Sequence, residues 1–256
     1  MLVAHRPYCV LPLLELPNEL GKSPLAEAIL EFRFKPKFPG DVVFGSIFPK
    51  VPEFNTGKLN QLPILNLPIQ IRDTDPQLRF QAHYRLDKGD FRLSIGPNMI
   101  AISAIKYPGW SSFYATVEKT LNPIFELDIM ESISRIGMRY VNSFPNTDIF
   151  EKINLAITMN GEPHRSPITT FRTKITEGNI GLNYQIANNA KIVIGGNQQS
   201  QGSIVDLDAS IETQHQPIKP DEVRDEIKML HKMAKERFFG IMKPEFLKSL
   251  EPKYSN

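Results

Sequence analysis

The sequence predicts an α+β protein in which curved, mostly antiparallel sheets pack against two principal helices. Three patterns support this fold class: short segments that alternate apolar and polar residues, turn-rich connections between several of them, and two longer segments with apolar residues at helical spacing. The order of strands followed by a helix occurs twice along the chain. Two similar halves, residues 21–147 and 148–256, are therefore an alternative to a single globular unit that spans 21–256.

The first clear element is a strand at 25–34, in which apolar residues point to one side and charged residues mostly point to the other. Two prolines end this strand, and a short helix is predicted at 40–51. The stretch 52–76 contains regularly spaced prolines. We expect it to be irregular, with one strand near 64–72.

A meander and the first principal helix come next. The helix is predicted at 109–126 because its large apolar residues fall on one stripe, with Pro123 marking a kink or an end. A strand at 133–142 follows the helix. The meander before it consists of three strands joined by hairpin turns, at 78–86, 91–96 and 99–105.

The second half contains several strand-like segments and then the second principal helix. This helix is predicted at 220–242, because Pro220 suits a first helical turn and the apolar residues after it recur at helical spacing. His231 lies beside that apolar stripe and is expected to be a packing residue. The strand-like segments are 153–159, 167–175, 180–187, 191–195 and 203–212.

The bulk composition excludes several classes of protein. The 256 residues are 41% hydrophobic and 23% charged, which is typical of a globular chain, and the net charge of +2 does not by itself indicate nucleic acid or a membrane surface. The single cysteine, Cys9, cannot form an intramolecular disulfide and favours a reducing compartment. We therefore expect a cytoplasmic protein without a membrane partner, with residues 1–20 as an extended N-terminal arm.

Four motifs resemble a sporadically distributed family of uncharacterised bacterial proteins of similar length. The likeness extends over about residues 22–251 and implies the same α+β fold, but no activity is carried over from it. The patchy distribution of that family is typical of mobile-element or phage-defence genes. The motifs are SPLAEAI at 23–29, YPGWSSF at 107–113, RIGMRYVN at 135–142 and VDLD at 205–208.

The strand at 133–142 carries the first candidate site. Arg135, Gly137 and Arg139 share one face, and the glycine leaves room between two guanidinium groups for a phosphate, a carboxylate or another backbone. The competing hypothesis is structural: the arginines pair across the sheet with Glu27, Glu31 or nearby acids, and Gly137 only accommodates packing.

A second candidate site lies on the strand at 203–212, where Asp206 and Asp208 share one face. Carboxylates in this pattern could hold a divalent metal such as Mg²⁺ beside a phosphodiester. The alternation of acidic and apolar residues is equally typical of a solvated sheet face, and these acids could pair with the arginines. No cofactor is expected if the structural interpretation holds.

The sequence predicts a non-enzymatic binding or interaction component, and the family resemblance implies a place in a defence or mobile-element module. Phosphate-loop, nucleophile-elbow, zinc-protease and dinucleotide motifs are absent from the sequence. The expected partner is another protein, while nucleic acid and a second copy of the chain are further candidates. The alternative function is a metal-dependent enzyme acting on nucleic acid or a nucleotide, with Asp206 and Asp208 as metal ligands.

Overall fold

The computed structural model describes residues 15–164, 166–194, 198–215 and 217–254. Its strands are, in chain order, β1 (Glu19–Leu20), β2 (Leu25–Pro36), β3 (Lys58–Gln61), β4 (Tyr84–Lys88), β5 (Phe91–Gly96), β6 (Met99–Ala104), β7 (Met130–Pro145), β8 (Thr158–Met159), β9 (Glu162–Pro163), β10 (Thr170–Glu177), β11 (Ile180–Ile194), β12 (Gln198–His215) and β13 (Pro252–Lys253). Its α-helices are α1 (Gly40–Ile47), α2 (Pro52–Asn55), α3 (Ile69–Thr74), α4 (Trp110–Glu126), α5 (Pro220–Ile241) and α6 (Pro244–Ser249). Three 3₁₀ turns add Phe48–Lys50, Pro63–Asn66 and Ile149–Glu151.

Nine strands form one antiparallel sheet in the order β10-β11-β12-β7-β2-β6-β5-β4-β3, and the sheet does not close. This arrangement of an antiparallel sheet with helices confirms the predicted α+β class. The sheet is continuous across both parts of the sequence, because β12 pairs with β7 over most of their lengths. Strand β2 lies between β6 and β7, which therefore run parallel and are connected by helix α4.

One face of the sheet carries the hydrophobic core. A single lateral row of apolar residues crosses all nine strands, because residues in register on neighbouring strands point to the same side. At its centre Leu30 and Met138 have no exposed surface. The row consists of Ile175, Leu182, Ala209, Met138, Leu30, Ile102, Leu93, Leu86 and Leu59.

Helices α1, α4 and α5 cover this apolar face. Phe113 of α4 is fully buried and stacks near Phe91 of β5, and the apolar stripe of α5 is buried from Val223 to Phe238. Both principal helices thus begin and end within a few residues of the predicted bounds. Helix α4 continues through Pro123 to Glu126, so this proline lies inside the last turn.

The opposite side of the sheet is polar, and we call it the polar face. Its residues alternate with the core residues along each strand, as the pleat requires. One of its lateral rows passes from Thr176 through Gly181, Ser210, Gly137, Glu31, Ala101, Ser94 and Arg85 to Asn60. Arg135 and Asp206 on this face are nevertheless buried, with 6% and 7% exposure.

The strands predicted at 25–34, 91–96, 99–105 and 133–142 are confirmed, with β2 and β7 longer than expected. The strand predicted near 64–72 is wrong: a 3₁₀ turn and α3 occupy that segment, each beginning just at or after a proline. The predicted strand 78–86 begins only at Tyr84. Residues before it turn, because the Asp75 carboxylate and carbonyl accept backbone hydrogen bonds from the next residues.

In the second half, β10 overlaps the predicted strand 167–175 but is shifted by two to three residues, and β12 extends beyond both ends of the predicted strand 203–212. The segments predicted at 180–187 and 191–195 form one strand, β11, with an irregularity between Ala187 and Ala190. Residue 195 lies outside the described residues. The segment 153–159 is predicted as a strand but is mostly irregular: Ile153 forms an isolated bridge with Met242, and Thr158–Met159 form the short strand β8. Of the predicted arm, residues 1–14 lie outside the described residues, and Glu19–Leu20 pair with β13.

Among the helices that the structure describes, none is both long enough and apolar enough to cross a bilayer.

Candidate functional site

Arg135 lies at the centre of an ion-pair network on the polar face. Its guanidinium donates hydrogen bonds to the Glu31 carboxylate over 2.7 Å and to the Asp208 carboxylate over 2.6 Å. The residues directly opposite Arg135 are Arg33 and Glu212 on the neighbouring strands. The side chain therefore reaches diagonally along the sheet, two residues past its own register position to Glu31 and four residues past it to Asp208, while its Nε stays 3.6 Å from the Glu212 carboxylate.

Gly137 makes this diagonal reach sterically feasible. A Cβ atom built on Gly137 would lie 2.3 Å from Nη1 and 2.7 Å from Cζ of Arg135, so the guanidinium lies flat over the glycine. The space that the sequence predicted for an external anion is filled by the side chain of Arg135. Gly137 accordingly accommodates an arginine of its own strand.

Arg139 forms the second ion pair of the same face. Its Nε and Nη2 donate to the two carboxylate oxygens of Asp206 over 2.8 and 2.5 Å, a bidentate arrangement. This hydrogen bonding with Asp206 raises the pKa of Arg139, although burial partly opposes the shift, and the charges of Asp208 and Glu27 add to the increase. Glu27 thus acts on Arg139 at longer range.

The predicted site residues therefore come together on adjacent strands, but each aspartate is engaged by an arginine. A metal ion bound by Asp206 and Asp208 would have to displace both guanidinium groups. Within the described ranges no group of three or more histidine, cysteine, aspartate or glutamate side chains is placed to hold a metal. The local chemistry is that of a satisfied ion-pair network, and it does not suit a divalent cation.

A cleft of about 810 Å³ opens at the other side of the sheet, between the start of α4, the middle of α5 and the segment 18–25. Three of the four motifs that carry the family resemblance meet here, together with His231. They contribute Ser23, Pro24 and Leu25 from the first motif, Tyr107 to Ser112 from the second, and Tyr140 and Asn142 from the third.

An aromatic cluster forms one wall of the cleft. The rings of Trp110 and His231 stack with centroids 3.7 Å apart and an interplanar angle of 2°. The Tyr140 hydroxyl lies 2.6 Å from Nδ1 of His231, and Tyr107 is hydrogen-bonded to Tyr140. The cluster fixes the start of α4 against α5, because Trp110 is the first residue of α4 and His231 lies in α5.

Burial keeps the polar members of this cluster in their neutral forms. It lowers the pKa of His231 to about 4, with a further contribution from the charge of Lys235. It raises the pKa of Tyr107 to about 12 and the pKa of Tyr140 well above its usual value. At neutral pH the imidazole is therefore uncharged and both phenols are protonated, so that Tyr140 can donate to Nδ1 and leave the imidazole proton on Nε2.

Lys235 is the one cation among the described residues that line the cleft. It follows His231 by one helical turn, and its pKa is lowered by burial. Within the described part of the chain Lys235 has neither a salt bridge nor a hydrogen bond. The nearby start of α4 has no acidic residue in its first turn and no side-chain cap, so its electrostatic potential also favours a negative group.

The sequence predicted the polar-face residues but missed the cleft. The sequence places Tyr107, Trp110 and Tyr140 in motifs of the family resemblance and predicts that His231 is a packing residue, but it predicts no site from them. The third motif does contain a signal for the cleft. Alternation places Tyr140 and Arg139 on opposite sides of the sheet, and the side of Tyr140 faces the helices.

No known protein family and no curated protein matches this chain. The family resemblance therefore stays a prediction that depends on the four motifs.

Proposed function

We propose that the protein is a non-enzymatic binding component and that the cleft between α4 and α5 is its ligand site. The observation that carries this proposal is that an aromatic wall meets, in one cavity, a half-buried lysine, Lys235, that has no salt bridge or hydrogen bond among the described residues. Ligand sites are typically concave, mostly apolar and provided with few polar groups, and a volume of about 810 Å³ suits a small molecule or a short peptide segment.

The polar face is less suited to this role because its charges already satisfy one another. Arg135 has two close carboxylate partners and Arg139 has a bidentate one. An external anion would have to compete with these partners, whereas an anion in the cleft would meet Lys235, to which no other residue in the described part of the chain is paired. The polar face is better explained as a device that fixes the register of β7 against its neighbours.

The titration behaviour of the cleft favours binding over acid–base catalysis. A general base works best when its pKa lies near the operating pH, and the pKa of His231, about 4, is well below it. Tyr107 and Tyr140 have pKa values raised by burial and stay protonated. These groups can orient a ligand by hydrogen bonding, but they are poorly suited to transferring protons at neutral pH.

The proposed compartment and the proposed biological module depend on the sequence alone. The lone cysteine favours a reducing compartment, and the family resemblance favours a bacterial mobile-element or defence module with a protein partner. This part of the proposal rests on composition and resemblance, independently of the cleft.

The test is affinity purification of the tagged protein from its own cells, comparing wild type with Ser111→Trp and Ala115→Trp. Both positions are exposed on α4, but only Ser111 lines the cleft, so Ala115→Trp is the matched control. We expect wild type and Ala115→Trp to retain the same ligand or partner and Ser111→Trp to lose it. Identical retention by all three proteins would exclude the cleft as the binding site.

A second outcome would favour the enzymatic alternative. Co-purified nucleic acid that is cleaved on addition of Mg²⁺, with cleavage abolished by Asp206→Asn, would move the function to the polar face. Retention unaffected by Mg²⁺ and sensitive to Ser111→Trp would support the proposal made here.

A further inference from the structure

We infer that the cleft binds an organic monocarboxylate, with its apolar or aromatic body against the cleft wall and its carboxylate group at Lys235. This inference rests on the proposed function and specifies its ligand. The ligand would be held by one ionic contact and a larger apolar contact. Such a carboxylate can come from a free small acid or from the C-terminus of a peptide with an apolar last residue.

The apolar contact is supplied by several elements at once. Trp110, Phe238 and Phe239 come from the two principal helices, and Leu20 and Pro24 come from the segment before β2. Phe238 and Phe239 pack edge to face with centroids 5.3 Å apart, which fixes both rings in the wall. Because these wall side chains are already fixed, they lose little entropy when a planar or branched apolar body binds against them.

The charge of the cleft matches a single negative charge. Among the described residues that line it, the charged ones are Lys235 and Glu19, and Glu19 is exposed and lies 3.4 Å from Lys253. One positive charge is therefore left uncompensated in the cleft. Phosphate groups are usually bound by arginine forks or by several cations, and no arginine lines the described cleft, so a carboxylate is the better match.

Hydrogen-bond donors beside Lys235 can complete the coordination of a carboxylate. His231 lies one turn earlier on the same face of α5 and is neutral, with Nδ1 engaged by Tyr140. Ser111 and Ser112 at the start of α4 also line the cleft, and the first backbone N–H groups of a helix have no acceptor within the helix. A carboxylate accepts several such bonds, while a neutral amide in its place accepts fewer and lacks the charge.

The test is a titration of the full chain with matched acid and amide probes, followed by the fluorescence of the single tryptophan, Trp110, and by calorimetry. The small-molecule pair is 3-phenylpropanoate and 3-phenylpropanamide. The peptide pair is a hexapeptide ending in Leu-Phe with a free or an amidated C-terminus. We expect the acid to bind about tenfold to hundredfold more tightly than its amide, as a charge-assisted hydrogen bond in a partly buried site implies.

Three variants identify the group responsible. Lys235→Met keeps the apolar stem of the lysine but removes its charge, and it should abolish the preference for the acid over the amide. Lys235→Arg keeps the charge and should retain most of that preference. Lys232→Met is the matched control, because Lys232 is exposed on the same helix and does not line the cleft. If the protein prefers the acid only in the peptide pair, the carboxylate of the natural ligand comes from a chain terminus. If it prefers the acid in the small-molecule pair, the natural ligand is a metabolite.

Two results would overturn the inference, and they differ from failure of the proposed function. If acid and amide bind equally and Lys235→Met changes neither, the cleft binds ligands but does not select carboxylates. If inorganic phosphate or AMP binds more tightly than either acid, the ligand is a phosphate. If no probe binds and Ser111→Trp leaves cellular capture unchanged, the cleft is not a ligand site and the proposed function fails as well.

Discussion

Replacing Gly137 by alanine tests the ion-pair network of the polar face directly. The added Cβ would lie 2.3 Å from Nη1 of Arg135, and ordinary contact begins at 3.4 Å, so the guanidinium must retreat by about 1.1 Å. Its hydrogen bonds to Glu31 and Asp208, at 2.7 and 2.6 Å, cannot both survive that displacement. A buried charge would then lose part of its compensation.

The expected cost follows from two opposing effects. Breaking a buried ion pair by removing one partner costs about 3–5 kcal/mol, and a displaced partner costs less than a missing one. Alanine also reduces the conformational entropy of the unfolded chain, which offsets roughly 0.5–1 kcal/mol. We therefore expect Gly137→Ala to lower the free energy of unfolding by about 2–3 kcal/mol, which is a decrease in Tm of roughly 4–12 °C for a chain of this size.

The assay is urea and thermal unfolding, followed by circular dichroism and by Trp110 fluorescence. Gly181→Ala is the matched control, because Gly181 lies in the same lateral row of the polar face and its nearest neighbour would be the flexible end of Lys174 at 3.3 Å. It should change the free energy of unfolding by less than about 0.5 kcal/mol. In an Arg135→Ala background, Gly137→Ala should cost nothing further, because the clashing group is gone.

Two results would refute this reasoning. Equal effects of Gly137→Ala and Gly181→Ala would mean that the guanidinium can relocate without loss. An undiminished cost of Gly137→Ala in the Arg135→Ala background would place the clash elsewhere.

Three further predictions concern His231, the core and the second ion pair. Because the pKa of His231 is lowered to about 4 in the folded protein, the unfolded chain takes up this proton at a higher pH than the folded chain does. The free energy of unfolding should therefore fall by about 2–3 kcal/mol as the pH drops from 6.5 towards 4. In urea unfolding at pH 7 and 4.5, His231→Gln should show a smaller decrease than the wild type. Leu30→Ala should lower the free energy of unfolding by about 3–5 kcal/mol because Leu30 is fully buried. Leu59→Ala, at the exposed end of the same lateral apolar row, should lower it by less than about 1 kcal/mol. Equal losses in thermal unfolding would contradict this assignment of the core. Asp206→Asn should lower the free energy of unfolding by about 1–2 kcal/mol, because it weakens the bidentate contact with half-exposed Arg139. This loss should be smaller at high salt, and a loss that does not depend on salt would argue against an ionic contribution.

The parts of the fold that could be predicted are those in which each residue's side is decided locally. In β2 and β7 the period of two assigns Leu30 and Met138 to the core and Glu31 and Gly137 to the polar face, and the structure confirms these assignments. The stripe of α5 is equally local. The segment 52–83 was predicted poorly because its apolar runs are short and separated by prolines, which suit a strand or a short helical turn equally well.

The candidate sites show the same limit. That Arg135 and Glu31 lie on one face follows from alternation, but the diagonal pairing with Asp208 depends on lateral register, which is fixed only when β7 and β12 meet. The cleft depends on contacts that are more distant still. His231 and Trp110 are separated by nearly half of the chain, and no local pattern predicts that their rings stack.

Alternation along strand β7 places the ion pair of Arg139 and the proposed ligand site on opposite sides of the sheet. Arg139 points to the polar face and pairs with Asp206, whereas the next residue, Tyr140, points to the helices and holds His231 at the cleft. Because the two side chains lie on opposite sides of one backbone, a substitution at Arg139 can loosen the sheet without altering the cleft wall. The reverse does not hold: the start of α4 is fixed against α5 through Trp110 and His231, so the cluster that shapes the proposed ligand site also joins the two principal helices. A ligand that tightens this cluster should therefore stabilise the whole fold, by an amount that increases with the logarithm of the ratio of its concentration to its Kd.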